Sequence, residues 1–132
     1  MTGKITLITP PDFYENSNFS ILFMGLDEVQ QDKVSSWLGA KSEFPDTNIY
    51  FHQGENNMPW LLYAVNRTDV KLLNLDSDSA IITLLGSYIL GKSNVYYTTK
   101  DANLKELMSF INNNYVPDVE SFMEKVFSEQ GI

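Results

Sequence analysis

The sequence predicts an α/β domain in three layers, with a mostly parallel sheet between helices, and three observations carry that expectation. Short β-prone runs alternate with segments of helical spacing along the chain, an order that implies parallel pairing with right-handed crossovers. The run at residues 20–24, SILFM, is almost continuously apolar, as in strands buried on both faces of a parallel sheet. The length of 132 residues suits one domain, 1–132, and is too short for two ordinary ones.

Each element has its own local signal. Residues 5–8, ITLI, form a β-prone opening run stopped by Pro10-Pro11, which cannot donate to a ladder. Residues 12–18 are polar and read as a loop, before the strand at 20–24 closes at Gly25. Asp27 is a suitable N-cap for a helix whose apolar positions include Val29, Val34, Trp37 and Leu38, with Gly39 as its stop. The next strand is residues 48–52, NIYFH, and the chain then turns at 53–57. A helix over 58–66 places Pro59 in its first turn, where a missing N–H is harmless.

Residues 70–75, VKLLNL, form the next strand, and 76–79 a polar turn rich in N-capping residues. A strongly apolar helix is expected over 80–90, ending at Gly91-Lys92. The last strand is 94–99, NVYYTT. A helix follows over about 103–111, and Val116-Pro117 restarts a final amphipathic helix running to about Ser128.

Composition narrows the function classes. The chain is 43% hydrophobic, 13% aromatic and 20% charged, a globular balance rather than a disordered one. It contains no cysteine, so disulfides, thiolate metal sites and a cysteine nucleophile are excluded. No stretch approaches the ~18 consecutive apolar residues of a membrane span, and the N-terminus lacks the apolar core and cleavage site of a signal peptide. A cytoplasmic protein without membrane partners is the expectation. A net charge of −8 repels phosphate backbones, and no basic stripe interleaves with aromatics, so a nucleic-acid polymer is not an expected partner.

In parallel α/β sheets ligands bind beyond the carboxyl ends of the strands, near the point where strand order reverses. That rule selects residues 25–27, 53–57, 76–79 and 98–101. No glycine-rich phosphate loop is present, since Gly25 stands alone, and no cofactor is expected. His52, the single histidine, ends a strand but has no triad or metal spacing around it; a hydrogen-bonded structural histidine is the expectation, and no metal. Trp60, Tyr63, Tyr96 and Tyr97 are expected to serve the core more than a ligand, with Tyr96 and Tyr97 on opposite faces of their strand. Asp69 is read as a helix-end or turn residue.

Four segments together resemble the nucleoside 2-deoxyribosyltransferase-like family, in its short bacterial and phage-type members. The opening strand and Pro-Pro step at residues 5–11 lead to a strand, Ser20-Ile21-Leu22-Phe23-Met24, that ends in Gly25. Residues 60–69 and 70–75 are similar to the family's central helix and following strand. Ile81-Ile82-Thr83-Leu84-Leu85-Gly86 through Gly91-Lys92 resembles the helix that carries its nucleophile. The resemblance covers most of residues 5–100 and implies a flavodoxin-like, deoxyribosyltransferase-like sheet flanked by helices. The activity it implies is transfer of a deoxyribosyl group between bases, or hydrolysis of the N-glycosidic bond, through a covalent sugar–carboxylate intermediate.

The chain departs from that pattern at the nucleophile. Leu84 stands where the family has glutamate, two residues before the helix glycine, and residues 80–92 contain no carboxylate. Leucine can neither attack carbon nor accept a proton, so no catalytic residue is assigned. Asp76 and Asp78 flank the turn at the ligand edge. The favoured reading makes one of them a helix cap, worth about 1 kcal/mol, and leaves the other solvated, although family members place an acid there to orient sugar or base. Gly25, Asn57, Asp76 and Asp78 are the ligand-binding candidates.

Three functions follow as expectations. The first is a transferase-like domain without transferase activity that retains a nucleoside or nucleotide pocket. The second is a protein-interaction module, such as a phage-encoded protein acting on a host factor, with the fold as scaffold. The third and least favoured is an enzyme of the N-glycosidic bond using Asp76, Asp78 or Glu55 instead. The apolar helix at 80–90 suits either the core or an interface, so homo-oligomerisation stays open.

Overall fold

The computed structural model describes residues 3–41, 44–52, 57–77 and 94–129. Five strands, β1 (Ile5–Ile8), β2 (Phe19–Met24), β3 (Thr47–His52), β4 (Val70–Asn74) and β5 (Val95–Thr98), form one sheet of order β1-β3-β2-β4-β5. Every pairing in it is parallel. Helices α1 (Glu28–Gly39), α2 (Met58–Arg67), α3 (Ala102–Met108) and α4 (Val119–Glu129) connect or follow the strands. The helix expected over 80–90, including Leu84 and Gly86, lies outside the described residues.

The sheet divides two cores. On one face Ile21, Phe23, Ile49, Phe51, Leu72 and Tyr96 meet Val34 and Leu38 of α1 and Val119, Phe122, Met123, Val126 and Phe127 of α4. On the other, Leu22, Met24, Tyr50, Leu73, Val95 and Tyr97 meet Trp60, Leu61, Ala64 and Val65 of α2. The result is a three-layer, flavodoxin-like α/β fold. The two-faced burial explains the unbroken apolar run of β2, where residues 20–24 are all buried. Tyr96 and Tyr97 fall in opposite cores, as strand alternation requires.

Helix α1 starts at the expected cap. The Asp27 side chain accepts from Gln30 N–H at 2.8 Å, and Gln30 Oε1 accepts from Asp27 N–H at 3.1 Å, a complete capping box. The segment expected to be helical through Ile111 is helical only to Met108. Beyond it the chain pairs with β5: Tyr97 N–H donates to Asn114 O, Val116 N–H donates to Tyr97 O, and the Asn112 side chain donates to Val95 O. Those long-range bonds outweigh continued helix, in which asparagine is a mediocre former. The same pairing delays the final helix, whose first turn is bonded to Asp118 rather than to Val116.

Asp69 does more than end a helix. Its carboxylate accepts from both the backbone N–H and the hydroxyl of Ser20, at 2.8 and 3.0 Å. It thereby pins the entry of β2 beside β4, 49 residues away in sequence.

Candidate functional site

Strand order reverses across β2. The chain passes from β2 to β3 on one side, then returns to β4 on the other, so the crevice lies beyond the carboxyl ends of β2 and β4. The register sets Met24 level with both His52 and Leu73. Gly25 follows with φ 82°, a left-handed turn that glycine adopts without strain, and its N–H donates to His52 O at 2.7 Å.

Asn74, at the end of β4, ties the two rims together. It is 8% exposed; its amide nitrogen donates to Gly25 O at 3.0 Å and Gln30 Oε1 at 3.2 Å, and its oxygen accepts from Asp76 N–H at 3.1 Å. Asp76 in turn reaches β5: Oδ1 accepts from the Thr99 hydroxyl at 2.7 Å and Oδ2 from Lys100 N–H at 2.8 Å. Both oxygens of Asp76 thus join two strand ends, a role different from the helix cap or solvated acid expected of it. Thr99 is itself a relay, accepting from Asp101 N–H, and Asp101 caps α3.

These residues enclose an open cleft of about 450 Å³ lined by Gly25, Leu26, Asp27, Glu28, Asn74 and Asp76. A narrower recess of about 150 Å³, sharing Asp27, Asn74 and Asp76, extends to Lys33, Lys100 and Glu120. One buried carboxylate oxygen of Glu120 has no hydrogen-bond partner among the described residues. Asp118, also on the recess, has its carboxyl held below the usual range by hydrogen bonds from Ser121.

The cleft is poorly made for an anion. Helix N-termini attract phosphate through free N–H groups and the macrodipole, but here the Asp27 carboxylate occupies that end and Glu28 adds a second charge in the first turn. The cleft instead offers acceptors: the carboxylates of Asp27, Glu28 and Asp76 and the amide oxygen of Asn74. No group of three or more His, Cys, Asp or Glu suited to a metal occurs among the described residues.

Of the sequence-selected candidates, Gly25 and Asp76 meet in the cleft. Asn57 does not: it sits at the start of α2, its side chain makes no cap hydrogen bond, and it lines none of the cleft. Asp78 lies outside the described residues, as does Glu55. His52 is buried and stacks on Trp60 at 5.8 Å and 19°, and the Trp60 indole donates to Asp12 O; both belong to the core under α2. Sequence reasoning passed over Asn74 and Gln30. The available signal was a polar residue closing the apolar run of β4, and a glutamine at the third helical position after Asp27.

No helix among the described residues is long and apolar enough to cross a membrane. Neither a scan against known protein-family models nor a search of curated proteins found a match for the chain.

Proposed function

We propose that the protein is a divergent nucleoside 2-deoxyribosyltransferase-like domain that binds a nucleoside-sized ligand in the β2–β4 cleft and lacks transferase activity. The observation that carries the reading is the convergence of Gly25, Asn74 and Asp76 at the switch point, around a space of about 450 Å³. That volume is within the ~300–1,000 Å³ usual for small-molecule sites. Its acceptors suit sugar hydroxyls and base amino groups, and the carboxylates at the start of α1 favour a nucleoside over a nucleotide. Absence of turnover is argued from Leu84 and the lack of any acid in residues 80–92.

The test is a thermal-shift screen against nucleosides, nucleotides and free bases, with product analysis of each mixture. A ligand that binds only the native state raises the melting temperature by mass action. The expected result is a shift with nucleosides, none with nucleotides, and no product. Turnover abolished by Asp76→Ala or Asp78→Ala without unfolding would instead establish the relocated-acid enzyme.

A second reading, a protein-interaction module, is favoured by one observation. Leu107 in the last turn of α3 and Phe110 and Ile111 just beyond it are 61%, 85% and 55% exposed. Loss of a pulled-down complex on Phe110→Ser, with the thermal-shift screen silent, would select it.

A further inference from the structure

We propose that a second pocket, at the opposite end of the sheet from the cleft and independent of it, binds one small uncharged ring bearing hydroxyls, such as a monosaccharide unit. It lies between the loop at residues 13–18, the entries of β2 and β3, and the end of α2, with a volume of about 190 Å³. Its floor is polar where a sheet under a helix is normally apolar. Asn48 and Tyr50 are 2% and 1% exposed, and Ser20 7%.

The Ser20 hydroxyl is consumed by Asp69, donating to its carboxylate and accepting from its N–H, but the other polar groups are only partly consumed by the fold. Asn48 donates to Asn16 Oδ1 at 2.9 Å, and the Tyr50 hydroxyl donates to Tyr14 O at 3.0 Å. The Asn18 amide reaches Asn48 Oδ1 at 3.4 Å, a long bond that a better donor can displace. No hydrogen bond among the described residues uses the amide nitrogen of Asn16 or the amide oxygen of Asn18. The walls therefore offer both donors and acceptors, which is what a ring of hydroxyls, each donor and acceptor at once, requires.

Size, charge and ring geometry exclude the alternatives. The space holds about six waters at ~30 Å³ each and is below the range of larger ligands. Arg67 and Glu15 pair across the rim at 3.0 Å, with side chains 55% and 59% exposed, so their charges cancel and no ion is favoured. A stacked base is disfavoured too, because Phe13 already stacks on Tyr50 at 4.7 Å and meets the edge of Tyr63 at 4.6 Å.

The experiment is a ¹H–¹⁵N titration of the full chain with D-glucose, D-galactose and D-ribose, and with the corresponding methyl glycosides. The expected result is saturable shifts of the Asn16, Asn18 and Asn48 side-chain amides with at least one probe. Binding of methyl glycosides as well as free sugars identifies the terminal unit of a glycan, and binding of free sugars alone identifies a soluble sugar. Arg67→Met, at the exposed rim, removes the guanidinium N–H groups that the bond to Glu15 leaves over and should weaken that binding about tenfold, the loss of one hydrogen bond, with little change in melting temperature. Asn48→Leu should abolish it; if that variant unfolds, Arg67→Met decides. Amides unmoved by every probe, or affinity unchanged in Arg67→Met, would overturn the proposal.

Discussion

Replacing Asn74 tests whether one side chain holds the two rims of the cleft. Asn74→Ala removes the bonds to Gly25 O, Gln30 Oε1 and Asp76 N–H. At about 1 kcal/mol net per bond, with water from the open cleft replacing some of them, the loss is about 1–3 kcal/mol. A 132-residue chain unfolds with an entropy of about 280 cal/mol/K at ~2.1 per residue, so each kcal/mol lowers the melting temperature by about 3.6 °C. Asn74→Ala should therefore melt about 4–11 °C lower. Asn74→Asp sharpens the test, because it replaces the amide donor with a carboxylate facing two oxygen acceptors, beside Asp27 and Asp76. Those neighbours disfavour the charged form, so the new carboxyl's folded pKa should lie above its unfolded value of about 3.9. A raised carboxyl destabilises increasingly as pH climbs from the unfolded to the folded pKa. Asn74→Asp should then be less stable than Asn74→Ala at pH 7, and the gap should close toward pH 4. The assay is calorimetry of both variants from pH 4 to 8. Equal stability at every pH, or Asn74→Asp as the more stable at pH 7, would refute the clamp.

Other expectations follow from the same contacts. Phe122→Ala, at a fully buried ring that meets Phe23 and Tyr96 edge-on at 5.5 Å, should lose about 3–5 kcal/mol by chemical denaturation. Asp69→Ala leaves the buried Ser20 N–H without its acceptor and should cost about 2–3 kcal/mol; Asp69→Asn should recover part of it. Asp27→Ala, which breaks the capping box, should lower stability by about 1 kcal/mol. Asp118, held low by bonds from Ser121, stabilises the fold above its unfolded pKa, and this contribution is lost as pH falls through the folded one. Its carboxyl resonance should titrate below the usual aspartate range, and Asp118→Ala should flatten the acid limb of the stability curve.

Local chemistry made much of this fold legible. The apolar runs of β2 and β4, the Asp27 cap, Pro59 in the first turn of α2 and the alternation of Tyr96 with Tyr97 depend on neighbours a few residues away, so the sequence states them directly. The parallel class followed from strands alternating with helices. What failed to read locally was whatever depends on distant partners. Helix α3 stops at Met108 because Asn112 and Asn114 bond to β5, a competition invisible to helical spacing. Asn57 occupies the right sheet edge, yet the cleft forms between β2 and β4, away from it.

The amino-acid sequence by itself determined the alternating elements, the two apolar faces that bury the sheet, and the absence of thiol chemistry. Only the tertiary structure decided the strand order, and with it which loops share an edge. Asn74 meets Gly25 across 49 residues and Gln30 across 44, and Asp76 meets Thr99 across 23. Such contacts form once the sheet has closed, because the free energy that brings those side chains together comes from burying β2 on both faces rather than from any pattern around the residues themselves.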